Sequence, residues 1–248
     1  MSSNTVEHYD QHLGPVYAWM VGDFSAAAQQ MVDYFDMIGL HPAATKQAVD
    51  LGCGHGLQTI PLADRGFEVT AIDSCQQLLE TLQSNAGELL VDIIQANLLV
   101  FPELLISPVD AIVCMGDTVP HLASMEEVHQ LISSVSRSLI DGGFFCTSFR
   151  DYTSSELAGT SRFIPVRADD ERIHTCFLEY GSDVVHVHDL LHTKTQEGWV
   201  FSASAYDKLW LNPQVFKNIA HGHNLDLVNE VVIRGMGYYA FQQRHHHN

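Results

Sequence analysis

The sequence predicts an α/β fold: a mostly parallel seven-stranded sheet with helices on both faces, N-terminal helices and an antiparallel β insertion. Two observations predict this fold. From residue 47 to residue 149, short apolar runs alternate with helical stretches, an order that places parallel strands between two layers of helices. After Arg150 the apolar runs follow one another with turn residues between them, which is typical of antiparallel strands.

Each element follows from its own pattern. Apolar residues at helical spacing predict two helices ahead of the sheet, at residues 6–20 and 25–38. Parallel strands are predicted at 48–51, 67–72, 91–94, 110–115 and 143–149. The helices between them are predicted at 57–64, 75–85 and 125–139. Antiparallel strands are predicted at 162–167, 172–180, 184–195 and 199–209. A helix at 213–220 and strands at 225–233 and 238–243 return to the main sheet.

We expect these elements to form one domain, since 248 residues with 46% hydrophobic content can bury a single large core. Within it we predict an N-terminal helical lid at 1–40 and a cofactor-binding core at 41–150. The antiparallel insertion at 151–210 would lie on the substrate side, and 211–244 would complete the core sheet. Ligands of such sheets bind beyond the carboxyl ends of the strands.

The charge of the chain argues against polyanionic partners. Twelve Lys and Arg face thirty Asp and Glu, a net charge of −18, which repels nucleic-acid backbones and anionic membranes. No apolar run approaches the roughly 20 residues of a membrane helix, and residues 1–10 lack the regions of a signal peptide. Five cysteines without a CxxC pair do not indicate a disulfide framework. We expect a cytoplasmic protein with a small-molecule substrate, and homo-oligomerisation stays open.

A glycine-rich turn carries the strongest functional signal. Asp50 precedes Gly52, Gly54 and Gly56, where a predicted strand turns into a predicted helix. Glycines let a ligand approach the backbone, and the helix start offers free N–H groups. A dinucleotide fingerprint would need glycine where Leu57 stands, so a nicotinamide oxidoreductase is disfavoured. The pattern resembles the first motif of class I S-adenosylmethionine-dependent methyltransferases, whose cofactor carries an ammonium and a sulfonium that suit a nearby carboxylate.

Two further strand ends supply cofactor candidates. Asp73 ends the second predicted strand and could accept hydrogen bonds from both ribose hydroxyls, or it could cap the helix that starts near Cys75. The Asn97 amide oxygen could accept from the adenine amino group, or Asn97 could simply form a turn.

Histidines supply the candidates for proton transfer and for metal binding. His121, after the fourth strand, titrates near neutral pH and is a base candidate, although packing under the next helix is an equal alternative. His186, His188 and His192 share one face of a predicted strand. We favour a solvent-facing role for these three, because no second ligand cluster is evident, and we expect no metal site.

The chain resembles glycine N-methyltransferases and the related glycine/sarcosine methyltransferases, most densely over residues 48–152. The likeness includes Tyr9-Asp10, Val16-Tyr17, Gly22-Asp23, Ala96-Asn97, the segment 110–116, and His121-Leu122. It also places Arg150 where the family has an arginine that contacts the substrate carboxylate. The sequence departs from the family at three places. Residues 24–27 stand where the family has arginines that help to hold the cofactor. Asp117 replaces an asparagine of the family, and Leu98 replaces an aromatic residue.

From these motifs we predict transfer of a methyl group from S-adenosylmethionine to a small molecule. The favoured acceptor is the nitrogen of an amino acid or small amine. An O- or S-methyltransferase and a non-catalytic cofactor-binding regulator are the alternatives. The predicted catalytic residues are His121, Tyr9, Arg150 and Asp117. The predicted cofactor contacts are Asp50, Gly52, Cys53, Gly54, Gly56, Asp73, Ser74, Ala96, Asn97, Leu98, Met115, Gly116 and Tyr17.

Charge suggests how the acceptor would be held. Arg150 and Asp117 follow neighbouring strands and so face the same edge of the sheet. An arginine fork suits a carboxylate, and an aspartate suits an ammonium, so together they could hold a small zwitterion. The alternative is that these two charges have purely structural partners.

Overall fold

The computed structural model describes residues 7–154 and 157–245 and contains two sheets. The larger sheet has seven strands in the order β10-β11-β5-β4-β1-β2-β3, and the smaller has four in the order β6-β7-β8-β9. The large-sheet strands are β1 (Gln47–Leu51), β2 (Glu68–Asp73), β3 (Val91–Gln95), β4 (Val109–Cys114), β5 (Leu139–Phe149), β10 (Leu225–Ile233) and β11 (Met236–Gln243). The small-sheet strands are β6 (Phe163–Ala168), β7 (Arg172–Tyr180), β8 (Val184–Thr195) and β9 (Gly198–Leu209).

The pairing directions confirm the predicted fold class. Strands β1 to β5 pair in parallel, whereas β11 runs antiparallel to both β5 and β10. All strands of the small sheet pair antiparallel. From β1 the strand order runs outward to β2 and β3, and the chain then crosses back to place β4 on the other side of β1. Ligands of open α/β sheets bind at the point where the strand order reverses in this way.

Helices cover both faces of the large sheet. The N-terminal segment begins with a π-helical turn (Tyr9–Leu13) that runs directly into α1 (Gly14–Val21). The remaining α-helices are α2 (Phe24–Met37), α3 (Thr59–Asp64), α4 (Gln76–Ala86), α5 (Met125–Ser138) and α6 (Pro213–Gly222). Residue 6 of the first predicted helix lies outside the described residues. Among those described, no helix is both long and apolar enough to span a membrane.

Two of the boundaries that differ from prediction have a clear physical reason. Helix α3 begins at Thr59 rather than at residue 57, because the glycine turn continues to that point with Gly56 at a φ of +100°. Strand β5 begins at Leu139, immediately after α5, since Leu139 pairs with Val109 across an irregularity in the β4–β5 ladder. Asp23 caps α2 by accepting a hydrogen bond from the Ala26 amide at 3.1 Å.

The hydrophobic core lies on both faces of the large sheet. On one face, residues of α5 and α6 such as Ile132 and Phe216 pack against the strands, and both are fully buried. On the other face, Tyr34 and Phe35 of α2 pack with Leu62 of α3. The small sheet has its own cluster around Val185 and Tyr206. These layers leave the carboxyl ends of β1, β2 and β4 to form the site.

Candidate active site

The glycine turn after β1 is held close to β2 by backbone bonds. The amides of Gly52 and Cys53 both donate to the carbonyl of Ile72, at 2.8 and 3.1 Å. Gly52 has a φ of +73°, and a Cβ there would lie 2.5 Å from a methyl carbon of Thr118. Position 52 therefore requires glycine for two independent reasons, backbone conformation and space.

Asp50 lies behind this turn and not in the cavity that the turn lines. Its side chain is buried and its Oδ2 accepts a hydrogen bond from the Thr59 hydroxyl at 2.6 Å. Burial raises the pKa of Asp50 to about 7, against the opposing effect of that hydrogen bond. Asp50 thus fixes the start of α3 relative to β1, and its predicted contact with the cofactor stays a prediction.

Asp73 lines the cavity and is held in place by backbone amides. Its Oδ1 accepts from the Cys75 amide and its Oδ2 from the Gly54 amide, both at 2.9 Å. Cys75 is the residue before α4, and no side chain caps that helix, so the capping alternative is wrong and the bond forms a turn ahead of the helix. Burial raises the pKa of Asp73, although these backbone bonds favour the charged form. The carboxylate also lines the cavity, and each oxygen has a further lone pair for a ligand.

One cavity brings together ten of the predicted site residues. They are Tyr9, Tyr17, Gly52, Cys53, Gly54, Asp73, Ser74, Met115, Gly116 and His121. Its wall adds His55, Leu57, Gln58, Leu78 and Thr118, which were not predicted. Three of these additions belong to the turn that the glycine motif marks, so extending the motif by two residues would have found them. We call this space the cofactor cavity.

Seven predicted residues lie outside the wall of the cofactor cavity: Asp50, Gly56, Ala96, Asn97, Leu98, Asp117 and Arg150. Gly56 is needed for packing, since a Cβ there would lie 2.5 Å from Leu82. The exposed Asn97 accepts a hydrogen bond from the Leu99 amide at 3.0 Å, the turn-forming role that was its alternative. Its contact with adenine, and those of Ala96 and Leu98, stay predictions.

His121 lies at the inner end of the cofactor cavity within an aromatic cluster. Its Nε2 is 3.5 Å from the Tyr9 hydroxyl, and its ring stacks on Tyr206 with 5.1 Å between centroids. Burial, together with the positive charge of Lys208, holds the pKa of His121 well below its usual value. Burial also raises the pKa of Tyr9. His121 is therefore a neutral imidazole beside a protonated phenol at neutral pH.

A second cavity adjoins the first across Tyr206, and we call it the acceptor cavity. Polar side chains on its wall are Asp117, Arg150, Tyr152, Tyr206 and Lys208. The rest of the wall is supplied by Ile164, Val166, Cys176, Leu178 and Val187 of the small sheet. Gly116 lines the cofactor cavity while its neighbour Asp117 lines the acceptor cavity, so the two spaces meet at the end of β4.

Asp117 already has several partners in the acceptor cavity. It forms a buried ion pair with Lys208, accepts from the Arg150 amide at 2.9 Å and accepts from the Tyr152 hydroxyl at 3.3 Å. Burial would lower the pKa of Lys208, but the charge of Asp117 outweighs it and the pKa is raised. Lys208 could not be identified from sequence, because its partner lies 91 positions away.

The Arg150 guanidinium is less constrained. Residue 150 is exposed, and its Nη1 makes a long contact of 3.4 Å with the Arg234 carbonyl. It contributes a positive charge that no described carboxylate neutralises through an ion pair. The acceptor cavity thus combines the Asp117–Lys208 ion pair with a guanidinium that forms no ion pair with a described carboxylate.

The exposed histidines of β8 occupy the predicted solvent-facing side. His186 pairs with Asp207 at 2.5 Å, and His188 pairs with Glu179 at 3.2 Å. The ring of His192 packs beside Phe201 at 4.9 Å. These partners differ for each histidine, so the three do not converge on a common centre. The five cysteines are all free.

Comparison with known proteins identifies the central part of the chain. Residues 48–143 match the family model described as a methyltransferase domain. This match indicates a methyltransferase domain within residues 48–143. The structure of CalS10, an amino pentose methyltransferase from Micromonospora echinaspora with S-adenosylmethionine bound, has a TM-score of 0.75 to this chain. That similarity covers 92% of this chain and 95% of CalS10 at 15% identity, and it confirms the fold of the methyltransferase domain.

Curated relatives match parts of the chain. The ubiquinone biosynthesis O-methyltransferase of Rickettsia akari is 50% identical over 42 residues, which are 17% of either protein. The glycine N-methyltransferase of Oryctolagus cuniculus is 22% identical over 162 residues, covering 59% of this chain and 54% of that enzyme. The chain therefore spans between about a sixth and about a half of the length of these two relatives. S-adenosylmethionine is the cofactor of the methyltransferase domain.

Proposed function

We propose that this protein transfers a methyl group from S-adenosylmethionine to the nitrogen of a small amine that also carries a carboxylate, such as an amino acid. The observation that carries the proposal is the position of His121. This neutral imidazole lines the cavity built around the glycine turn, and its ring stacks on Tyr206, which lines the cavity that contains Arg150. An amine must lose its proton before it can act as a nucleophile, and a neutral imidazole can accept that proton.

The residues of the cofactor cavity fit the cofactor. At Gly54 a Cβ would have only a Leu78 methyl carbon near it, at 4.0 Å, so the turn leaves room there for a ligand to approach the backbone. The Asp73 carboxylate would accept from ribose hydroxyls, and Tyr17 with Met115 would supply apolar contact. When bound, S-adenosylmethionine supplies an electrophilic methyl group. His121 is buried among aromatic rings, and such surroundings exclude water. Exclusion of water would favour transfer of the methyl group from the cofactor to the positioned acceptor.

The charged residues of the acceptor cavity suit a substrate that carries a carboxylate. Arg150 would bind the acceptor carboxylate through its planar fork. Asp117 has three donors around it, so its main role would be to hold Lys208 rather than to bind the ammonium as the sequence suggested. Tyr9 would orient His121 through the contact of its hydroxyl with Nε2 at 3.5 Å, and Nδ1 is the ring nitrogen that has no hydrogen-bond partner among the described residues.

The names of similar proteins agree with nitrogen as the acceptor atom without fixing it. One relative is a glycine N-methyltransferase, and one structural neighbour is an amino pentose methyltransferase. The ubiquinone O-methyltransferase similarity covers only 42 residues. An amino sugar lacks the carboxylate for which Arg150 is suited, so the amino acid class is preferred.

An acceptor screen tests the proposal. The full chain would be incubated with cofactor labelled in the methyl group and with amino acids, amino sugars, phenols and thiols in separate reactions. Transfer to an amino acid nitrogen, with release of S-adenosylhomocysteine, is the expected result. His121→Gln should lower kcat by about a hundredfold or more while binding S-adenosylhomocysteine normally. Transfer to phenols or thiols alone would contradict the proposal, and so would cofactor binding without turnover on any acceptor.

A further inference from the structure

The inward face of the small sheet carries a cluster of buried metal-binding side chains that the sequence did not reveal. His174 and Cys176 lie two residues apart on β7 and so project from the same face. The β7–β8 register places Asp189 directly opposite Cys176. His8, from the N-terminal segment, completes the group: its Nε2 lies 3.0 Å from Asp189 Oδ2.

Three of these residues bring their ligand atoms close together. The ligand atoms of His174, Cys176 and Asp189 all lie within 4.8 Å of one another. His174 Nε2 and Cys176 Sγ each lie 2.8 Å from Asp189 Oδ1. In a tetrahedral site with bonds of about 2.0–2.3 Å, ligand atoms are separated by roughly 3.3–3.8 Å. These three are therefore near the spacing of such a site, and His8, which contacts Asp189, would have to approach the other two to become the fourth ligand.

The bonding of His8 aims its imidazole at Asp189. Ser204 Oγ lies 2.8 Å from Nδ1 of His8, which fixes the ring, and Nε2 then lies 3.0 Å from Asp189 Oδ2. Both atoms are buried, so this is a contact between two metal-binding groups away from solvent. A metal ion could bind Nε2 and Oδ2 in place of their contact with each other.

We propose that His8, His174, Cys176 and Asp189 bind one Zn²⁺ ion, which fastens the N-terminal segment to the small sheet. Two imidazoles, a thiolate and a carboxylate form a closed, four-ligand set that suits zinc. Binding would release the Cys176 thiol proton to solvent, since the thiolate is the metal-binding form. Because His8 is far in sequence from the three residues of the small sheet, the folded chain creates the site.

The proposed zinc site adjoins the reaction centre without entering it. The His8 ring packs on Tyr206 at 4.3 Å, and Tyr206 stacks on His121 at 5.1 Å. Cys176 also forms part of the acceptor cavity wall. Zinc would therefore fix the aromatic wall between the two cavities. This role is structural, so its test does not depend on the acceptor or on turnover.

Cobalt binding tests the site directly. Because the C-terminal histidines can also bind metals, the experiment uses a background in which His245, His246 and His247 are replaced by alanine. After chelator treatment, Co²⁺ alone is titrated into this full-length protein. We expect one equivalent to bind, with the charge-transfer absorption of a cobalt–thiolate bond and the intense visible bands of four-coordinate Co²⁺. Absence of stoichiometric binding in this background would overturn the proposal.

Matched variants locate the ligands. Cys176→Ala should abolish the thiolate band, whereas Cys146→Ala, which removes another buried free cysteine, should retain it. His174→Gln should weaken Co²⁺ binding by at least roughly tenfold, and His188→Gln on the exposed side of the sheet should not. A band that persists in Cys176→Ala would contradict the proposed ligand set.

Thermal unfolding tests the site without any ligand variant, in case those variants fold poorly. In the background without terminal histidines, Zn²⁺ should raise the thermal midpoint in a concentration-dependent way, and chelator should reverse the increase. An unchanged midpoint in saturating Zn²⁺ would overturn the proposal even if no variant could be purified.

Discussion

The cofactor cavity and the acceptor cavity approach each other at the stacked rings of His121 and Tyr206, but different parts of the chain hold their polar groups. In the cofactor cavity, Asp73 is fixed by backbone amides of Gly54 and Cys75, which lie 19 and 2 positions away. In the acceptor cavity, Asp117 is fixed by Lys208, 91 positions away on the small sheet. The first arrangement depends on a local turn, and the second depends on how two sheets meet.

This difference predicts that the acceptor side depends more on charge pairing for its stability. Lys208→Met would leave the Asp117 carboxylate buried without its counter-ion. The free energy of unfolding should fall by about 3–5 kcal/mol, because breaking a buried pair leaves an uncompensated charge. Urea unfolding followed by circular dichroism measures the change.

Two further variants sharpen that result. Lys217→Met removes a lysine whose partner Glu230 is partly exposed, and it should cost less than about 1 kcal/mol. Adding Asp117→Asn to Lys208→Met should restore much of the loss, since the unpaired charge disappears. A Lys208→Met variant no less stable than Lys217→Met would show that the pair does not hold the acceptor side together.

On the cofactor side, the expected charge effect is a dependence on pH centred on Asp50. Its pKa is raised to about 7 by burial, above the value of the unfolded chain. Between about pH 4 and pH 7 the folded state therefore keeps this proton while the unfolded state has lost it. The contribution of Asp50 to the free energy of unfolding is at its full value below about pH 4. This stability is lost as pH rises from about 4 through 7, by up to about 4 kcal/mol.

Asp50→Asn removes that dependence. Relative to the unsubstituted protein, the variant should gain stability as pH rises from 5 to 8, and denaturant unfolding at several pH values measures the gain. Asp92→Asn, at an exposed position of β3, is the control and should show no comparable trend. A constant difference between Asp50→Asn and the unsubstituted protein would mean that Asp50 keeps an ordinary pKa in the folded chain.

The same contrast explains what the sequence could predict. The turn from Asp50 to Gly56 is encoded by neighbouring residues, and the strand pattern indicates which sheet edge it faces. Asn97 illustrates a limit, because its amide accepts from the nearby Leu99 amide and sequence alone could not choose between turn and ligand contact. Lys208 could not be predicted at all, since its role depends on where β9 ends relative to β4. The cluster around Asp189 depends in the same way on strand register.

The cofactor cavity can be tested separately through Asp73. Asp73→Ala should weaken binding of S-adenosylhomocysteine by roughly 1.5–3 kcal/mol, because a charged acceptor of ribose hydrogen bonds is lost. Isothermal titration calorimetry measures the dissociation constant. Asp92→Ala should leave it unchanged, and the thermal midpoint of Asp73→Ala checks that loss of the Gly54 and Cys75 bonds has not unfolded the turn. An unaltered dissociation constant in a folded Asp73→Ala protein would remove Asp73 from the cofactor site.

The smallest predicted effect is that of Arg150→Lys, which should change binding of the acceptor and leave binding of the cofactor unchanged. Arg150→Lys keeps the positive charge but loses the planar fork that suits a carboxylate. We expect the KM for the amino acid acceptor to rise by about tenfold, equivalent to about 1.4 kcal/mol, while the dissociation constant of S-adenosylhomocysteine stays the same. Steady-state kinetics and calorimetry on the same preparation measure both quantities.

The control for this last comparison is Arg234→Lys. The Arg234 carbonyl contacts the Arg150 guanidinium at 3.4 Å, but the Arg234 side chain is not part of the acceptor cavity wall. Its substitution should therefore leave the acceptor KM unchanged. If Arg150→Lys also left KM unchanged, the carboxylate would be bound elsewhere, and Lys208 would be the nearest other cation on the wall. If it weakened cofactor binding instead, Arg150 would belong to the cofactor cavity, and the division between the two cavities at the end of β4 would be wrong.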